Sequence, residues 1–333
     1  MATILLAHTP GMRENYYGAT ALDRLRALGH VILHEADAPL DAAGLIAAAR
    51  DAQVIVADRM TAGPAEVFGA LSHLAAFVRG AVDIRNIDVA AASAAGILVT
   101  QASPGFVASV TELILGMMVD LARGVSTAVG AYQARRSPVI RMGRQLSGST
   151  LGIIGYGSIG RNLAALGQAL GMTVLVTDPY AAVTAPGLEQ TGMATLLARS
   201  DFTVCLATAT PETENLMDAA AFARMPAGAY FINGSRGNLV DEAALAASLR
   251  SGHLGGAAVD VGRAPDQMPS PELAALPNVI ATPHIGGLTP RAIAAQALET
   301  VSQVAAILKG DVPSGAVNPG SWRNRPDGMT TNV

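Results

Sequence analysis

The stretch Leu151-Gly152-Ile153-Ile154-Gly155-Tyr156-Gly157-Ser158-Ile159-Gly160 decides the fold of this 333-residue chain. A short apolar run leads into a G-x-G-x-x-G turn, and a helical pattern follows. In that arrangement Gly155 allows a tight turn, Gly157 keeps side-chain bulk away from the phosphates of a dinucleotide, and Gly160 lets the helix pack closely on its strand. Tyr156, Ser158 and Ile159 complete the turn, and the helix N-terminus directs its free N–H groups at the anion. A glycine triplet alone is a weak signal, and the surroundings give it weight. A second apolar run, Thr173-Val174-Leu175-Val176-Thr177, ends at Asp178. An acidic side chain there accepts from the adenosine ribose hydroxyls and repels a 2′-phosphate, so the pattern predicts NAD rather than NADP.

Working outward, half of the residues are hydrophobic and 14% are charged, yet no apolar run approaches the ~18 residues of a spanning helix. Even Leu113 to Val119 is bracketed by Glu112 and Asp120. The start, Met1 to His8, has no basic region or cleavage-like site and reads as a first strand. A soluble, cytoplasmic protein with no membrane partner is expected. A net charge of −4 without a basic run argues against a nucleic-acid partner. The single cysteine, Cys205, lies in an apolar run and is expected as a buried strand residue rather than a nucleophile. No metal site is expected.

Upstream of the glycine turn, β-branched runs at 4–7, 31–33, 54–57, 75–78 and 97–100 alternate with helical stretches at 20–28, 42–50 and 89–95. This is a parallel α/β unit without a glycine fingerprint, which points to a flavodoxin-like lobe. Val107, Val110, Leu113, Ile114, Met117, Met118 and Leu121 then recur at helical spacing, with Ser109 and Glu112 placed to form a capping box. The last clear helix starts at Thr289-Pro290 and stops at Lys309-Gly310; beyond it, 313–333 reads as an extended, partly disordered tail.

Three more clusters follow apolar runs of the second half: Ile232-Asn233-Gly234-Ser235-Arg236-Gly237, Ala257-Ala258-Val259-Asp260 and Thr282-Pro283-His284-Ile285-Gly286-Gly287. Carboxyl ends of strands are where an open α/β sheet places its ligands. Arg236 carries a planar guanidinium suited to clamp a carboxylate, and His284 an imidazole that exchanges protons near neutral pH. His8, His30, His34, His73 and His253 read as structural or solvent-facing.

With Ser109-Val110-Thr111-Glu112-Leu113, Thr210-Pro211-Glu212-Thr213 and Leu276-Pro277-Asn278-Val279-Ile280, these clusters make the chain resemble the D-isomer-specific 2-hydroxyacid dehydrogenase family over nearly its whole length. The resemblance implies an α/β fold of two Rossmann-like lobes with an interlobe cleft. A flavodoxin-like substrate lobe would take 1–101 plus 289–333, and a doubly wound NAD-binding lobe 102–288. It implies a homodimer formed through the helix at 107–121. It implies hydride transfer between nicotinamide and C2 of a 2-hydroxy or 2-keto acid. Arg236 would then bind the acid and polarise its keto oxygen, His284 would exchange the proton, and Asp260 would hold the nicotinamide carboxamide. Thr208, Pro211 and Gly286 join the cofactor set, and Ala81, Val82, Asp83 and Arg85 the substrate set.

Two departures stand out. The family's Glu partner of the catalytic His falls at Pro265, followed at once by Asp266, which is offered as its substitute. In the substrate loop Asp83 replaces a glycine and Arg85 an Asp. Asp83 either hydrogen-bonds substrate hydroxyls, which favours a polyhydroxylated acid, or pairs with Arg85 as structure. A non-catalytic NAD(H)-binding regulatory protein on the same fold is the alternative reading.

Overall fold

Strands that bury every residue need cover on both faces, and a parallel sheet between helices supplies it. Val54–Ala57, Ala76–Arg79 and Phe202–Cys205 are buried at every position. The computed structural model describes residues 2–326, apart from the Asp266 side chain. Within them the chain forms two compact units, one of Met1–Phe106 with Leu288–Val333 and one of Val107–Gly287. The divisions fall five residues after the expected 101/102 boundary and one before the expected 288/289 boundary.

The first unit carries β1 (Ala2–Leu6), β2 (Gly29–Leu33), β3 (Val54–Ala57), β4 (Ala76–Arg79) and β5 (Leu98–Thr100). They pair in parallel in the order β2-β1-β3-β4-β5, the flavodoxin-like arrangement. The period of two divides β1 between the faces: Ile4 and Leu6 pack with Leu25, Val301 and Trp322, whereas Leu5 packs with Leu45, Phe68 and Phe77.

The second unit carries β6 (Thr150–Ile154), β7 (Thr173–Thr177), β8 (Leu188–Gln190), β9 (Phe202–Cys205), β10 (Tyr230–Asn233), β11 (Gly256–Val259) and β12 (Val279–Ala281). Their order is β12-β11-β10-β9-β6-β7-β8, all parallel. The order reverses between β6 and β9, so the crevice outside their carboxyl ends is the expected ligand position. Cys205 is fully buried in β9, where burial pushes its thiol up to about 12.

Two expectations need correction. The helix Val107–Arg123 begins two residues before Ser109, which therefore lies inside the first turn and cannot cap it. The tail is not loose over 313–326. Trp322 is buried on the first sheet and its indole N–H donates to Ala75 O at 3.0 Å, while Asn318 Oδ1 accepts from Val99 N at 2.7 Å. Residues 327–333 lie outside the described residues.

Candidate active site

The three glycines of the β6 turn do three different things. Gly155 sits at φ +101°, and a Cβ there would stand 2.7 Å from the Leu206 carbonyl. At Gly160 it would stand 2.2 Å from Gly155 O, so helix and turn touch backbone to backbone. At Gly157 it would meet nothing within 4 Å. The middle glycine is thus not needed for packing, and it caps the 12-residue helix Ser158–Ala169 in extended backbone without a side-chain capping bond. Open space in front of uncapped N–H groups fits the pyrophosphate of a dinucleotide.

Asp178, at the end of β7, closes the other side of this turn. Its Oδ2 accepts from Tyr156 N at 2.7 Å, and its Oδ1 from Tyr180 N and Ala181 N at 2.8 and 2.9 Å. Partial burial pushes its carboxyl up, but these three bonds and the Arg161 charge outweigh it and hold the group below the usual carboxylate value. Arg161 also lies over the Tyr156 ring, 4.4 Å from its centroid. Asp178 is therefore a fixed anion with acceptor capacity left for ribose hydroxyls. Thr208 and Pro211 are exposed in the loop after β9, which Thr213 Oγ1 closes by donating to Thr208 O at 2.8 Å.

Arg236 is presented by a turn that the sequence reading left unexplained. Asn233, buried at the end of β10, donates through Nδ2 to Arg236 O at 2.9 Å and accepts from Ser235 N at 3.1 Å. Ser235 Oγ donates to Ala207 O at 2.6 Å, which ties the turn to the loop after β9. A Cβ on Gly237 would stand 2.1 Å from Gly262 O, so only glycine lets this turn meet the one after β11. The guanidinium Nη1 donates to Ser235 O at 2.8 Å and the side chain is half-buried.

His284 occupies the left-handed region at φ +56°, a strained position for a residue with a side chain. What holds it there is Asp260. This buried carboxylate accepts from Thr282 Oγ1 at 2.6 Å and Ile285 N at 2.8 Å through Oδ1, and from Gly286 N at 2.8 Å through Oδ2. The loop is thus gripped on both sides of His284. Gly286 is required by the same grip, since a Cβ would come within 2.8 Å of Asp260 Oδ2. With roughly four lone-pair sites on a carboxylate, about one remains for a ligand amide.

Pro265 opens a single turn of 3-10 helix, Pro265–Gln267, after β11. The Asp266 side chain, offered as the partner of His284, lies outside the described residues. Gln267 Oε1, next to it, is buried and accepts no bond. In the first unit, Ala81 and Val82 follow β4 and are half-buried. Asp83 and Arg85 pair with each other: Nη2 donates to Asp83 Oδ2 at 2.6 Å and Nε to Oδ1 at 3.0 Å. Of the two roles open to Asp83, the structural pairing is the one seen.

Gly155, Asp178, Thr208, Arg236, Asp260 and His284 thus all stand just beyond the carboxyl ends of strands in one parallel sheet. Residues 115–286 match the family model for the NAD binding domain of D-isomer specific 2-hydroxyacid dehydrogenases. The chain is 35% identical over 305 residues to a D-3-phosphoglycerate dehydrogenase of Mycobacterium leprae, covering 90% of this chain and 57% of that one. It is 35% identical over 256 residues to an (S)-sulfolactate dehydrogenase of Chromohalobacter salexigens, covering 75% of this chain and 82% of the relative. The fold superposes on a crystal structure from Polaromonas sp. JS6 66 with a TM-score of 0.87 at 26% identity, over 95% of this chain and 99% of that one. The chain belongs to the D-isomer specific 2-hydroxyacid dehydrogenase family, and its second unit is the NAD-binding domain of that family. It spans about half the length of the phosphoglycerate dehydrogenases it matches, from 57% to 46% of them.

Proposed function

We propose that the protein is an NAD-dependent oxidoreductase that interconverts a 2-hydroxy acid and its 2-keto acid. The observation that carries this reading is the Asp260 grip on the 282–286 loop, which holds the one histidine with a strained backbone at the carboxyl edge of the cofactor sheet. A regulatory protein that only senses the cofactor has no use for such a device. When bound, NAD supplies the hydride acceptor, and NADH the hydride donor, for C2 of the acid. Gly155 to Gly160 and Asp178 would hold the pyrophosphate and adenosine ribose. Thr208, Pro211 and Gly286 would complete the cofactor set, and Asp260 would take one donor from the nicotinamide amide. Arg236 binds the acid's carboxylate through paired N–H groups and draws charge onto the C2 oxygen. His284 takes the hydroxyl proton in oxidation and returns it in reduction. Asp266 serves as its carboxylate partner in place of the Glu that Pro265 displaces.

The working form is a homodimer. Val125, Val129 and Tyr132 on the helix Val125–Gln133 are exposed, as are Val139, Ile140 and Met142 after it, with Ile140 98% and Met142 fully accessible. An apolar strip of this kind on the surface marks an association site. We place the protein in the cytoplasm, where a pool of free NAD(H) supports this reaction.

The test is NADH oxidation across a panel of 2-keto acids by the wild type, His284→Ala and Asp266→Asn proteins, with light scattering for mass. Turnover abolished by His284→Ala supports the reading. Turnover with none of the acids, while NADH still binds, replaces it with the sensor. An Asp266→Asn pH profile identical to wild type removes Asp266 from the mechanism.

A further inference from the structure

Three neighbouring strands of the second sheet, β9, β10 and β11, each end in a loop that carries part of the candidate site: Thr208 and Pro211, then Arg236, then Asp260 with Pro265 and Asp266. Loops move separately unless something joins them. Arg263, three residues beyond Asp260, joins all three. Its Nε and Nη2 both donate to Val240 O, at 3.2 and 3.1 Å, and Nη2 also donates to Asn238 O at 3.0 Å. Both carbonyls belong to the turn that Arg236 opens and Val240 closes. From the loop after β9, Asn215 Oδ1 accepts from Nη2 at 2.6 Å, and Glu214 Oε1 forms an ion pair with it at 2.8 Å. The ion pair alone contributes little, because its two side chains are 37% and 40% exposed. Geometry says more. Asn215 is held at φ +53°, a left-handed backbone, where its N–H donates to Asn238 O at 2.8 Å. A Cβ on Gly237 would stand 2.1 Å from the carbonyl of Gly262, the residue before Arg263, so the turn after β10 and the loop after β11 meet backbone to backbone beside the guanidinium.

We propose that Arg263 is a positioning residue for Arg236. Its fork onto the Asn238 and Val240 carbonyls fixes the turn that presents the Arg236 guanidinium, and ties that turn to the loops after β9 and β11. This rests on the dehydrogenase reading and adds to it a residue that acts through another. Arginine suits the task because its donors are planar and fixed relative to one another, whereas the lysine ammonium is a single point on a flexible stem. Paired N–H groups bind a carboxylate only when their direction is right, so Arg236 must be oriented as well as present. A misplacement of about one ångström costs on the order of a hundredfold in rate.

The experiment measures kcat and KM over a panel of 2-keto acids, NADH affinity, melting temperature and amide hydrogen exchange in wild type, Arg263→Lys, Arg263→Ala and Glu214→Gln. Both Arg263 variants should lose at least about tenfold in kcat/KM, mainly through a raised KM for the keto acid. NADH affinity, which rests on the β6 turn and Asp178, should change by less than about threefold. The amides of Asn215, Met217 and Val240, which bond across or within these loops, should exchange at least about tenfold faster. Glu214→Gln keeps an acceptor and loses only the charge, so its kcat/KM should stay within about threefold of wild type. Rescue by Arg263→Lys, or an equal loss in Glu214→Gln, would reduce the contact to a charge pair and overturn the fork. Arg263 variants that melt lower but keep the wild-type kcat/KM make the residue merely structural and overturn the proposal alone. If Arg263→Ala does not fold, Arg263→Lys decides. A wild type inactive with every keto acid refutes the dehydrogenase reading, and the positioning role with it.

Discussion

Asp260 shows how much one carboxylate can do for a neighbour it does not touch in sequence. Asp260→Ala leaves the Thr282 hydroxyl and the Ile285 and Gly286 N–H groups without their acceptor and releases His284 from its left-handed backbone. Turnover should fall by about a hundredfold, the scale of an ångström of misplacement, with a smaller change in NADH affinity. Rapid kinetics beside a cofactor titration check this, and a variant with normal kcat would show the anchor to be dispensable. His8 gives a second prediction. Burial, with Arg79 and Arg13 nearby, lowers its pKa from 6.5 to about 4 against the pull of Asp58. The unfolded chain takes up a proton near pH 6.5 that the folded chain refuses. Stability is therefore complete above pH 6.5 and is lost as pH falls toward 4, by on the order of 3 kcal/mol. His8→Phe, which keeps a ring against Tyr17, should flatten that part of a denaturation-versus-pH curve. At this scale the sequence announced Arg236, Asp260 and His284 by their motifs. It was silent on the turn that Asn233 closes on Ser235 and Arg236, because such a local turn has no hydrophobic period to reveal it; it was silent on the burial of His8, Asp58 and Arg79 because that depends on strand ends far apart in the chain meeting at one sheet edge.

Among the elements, the turn after β6 separates binding from packing. Gly157 has ordinary backbone, φ −73°, and open space around its Cα, whereas Gly160 faces the Gly155 carbonyl. Gly157→Ala should melt within about 2 °C of wild type and lose at least about tenfold in NADH affinity, since the added methyl sits where the phosphates approach. Gly160→Ala should lower the melting temperature by several degrees, because helix and strand must move apart. Calorimetry and cofactor titration on both proteins check the pair; equal effects would mean the turn does not divide its labour. The strands were legible because fully buried parallel strands are continuous apolar runs. The short helices Pro10–Tyr16 and Ala65–Ala70 were not. Thr9-Pro10 carries the same cap and first-turn pair as Thr289-Pro290, but none of the seven residues of the helix Pro10–Tyr16 is buried, so no periodicity betrays it.

On the scale of the whole molecule, the first unit is assembled from both ends of the chain. The helix Pro290–Leu308 buries Val301, Val304 and Ile307 against β1, β3 and β4, and Trp322 seals the same face. Trp322→Ala should cost about 3–5 kcal/mol and lower that unit's melting transition by at least about 6 °C, leaving the second unit's transition in place. Differential scanning calorimetry reads both. Composition pointed to a loose tail here because Pro, Gly and Asn are also the residues of a tightly bonded strap; Asn318 alone donates to Ser93 and Ile97 and accepts from Val99. The interrupted layout has a consequence for biosynthesis. The five strands of the first sheet leave the ribosome long before the helix and tryptophan that cover one of their faces, with the whole second unit made in between. The nascent chain therefore carries a half-covered, Val- and Leu-rich sheet through most of its synthesis, and the cofactor domain is the first part able to finish folding.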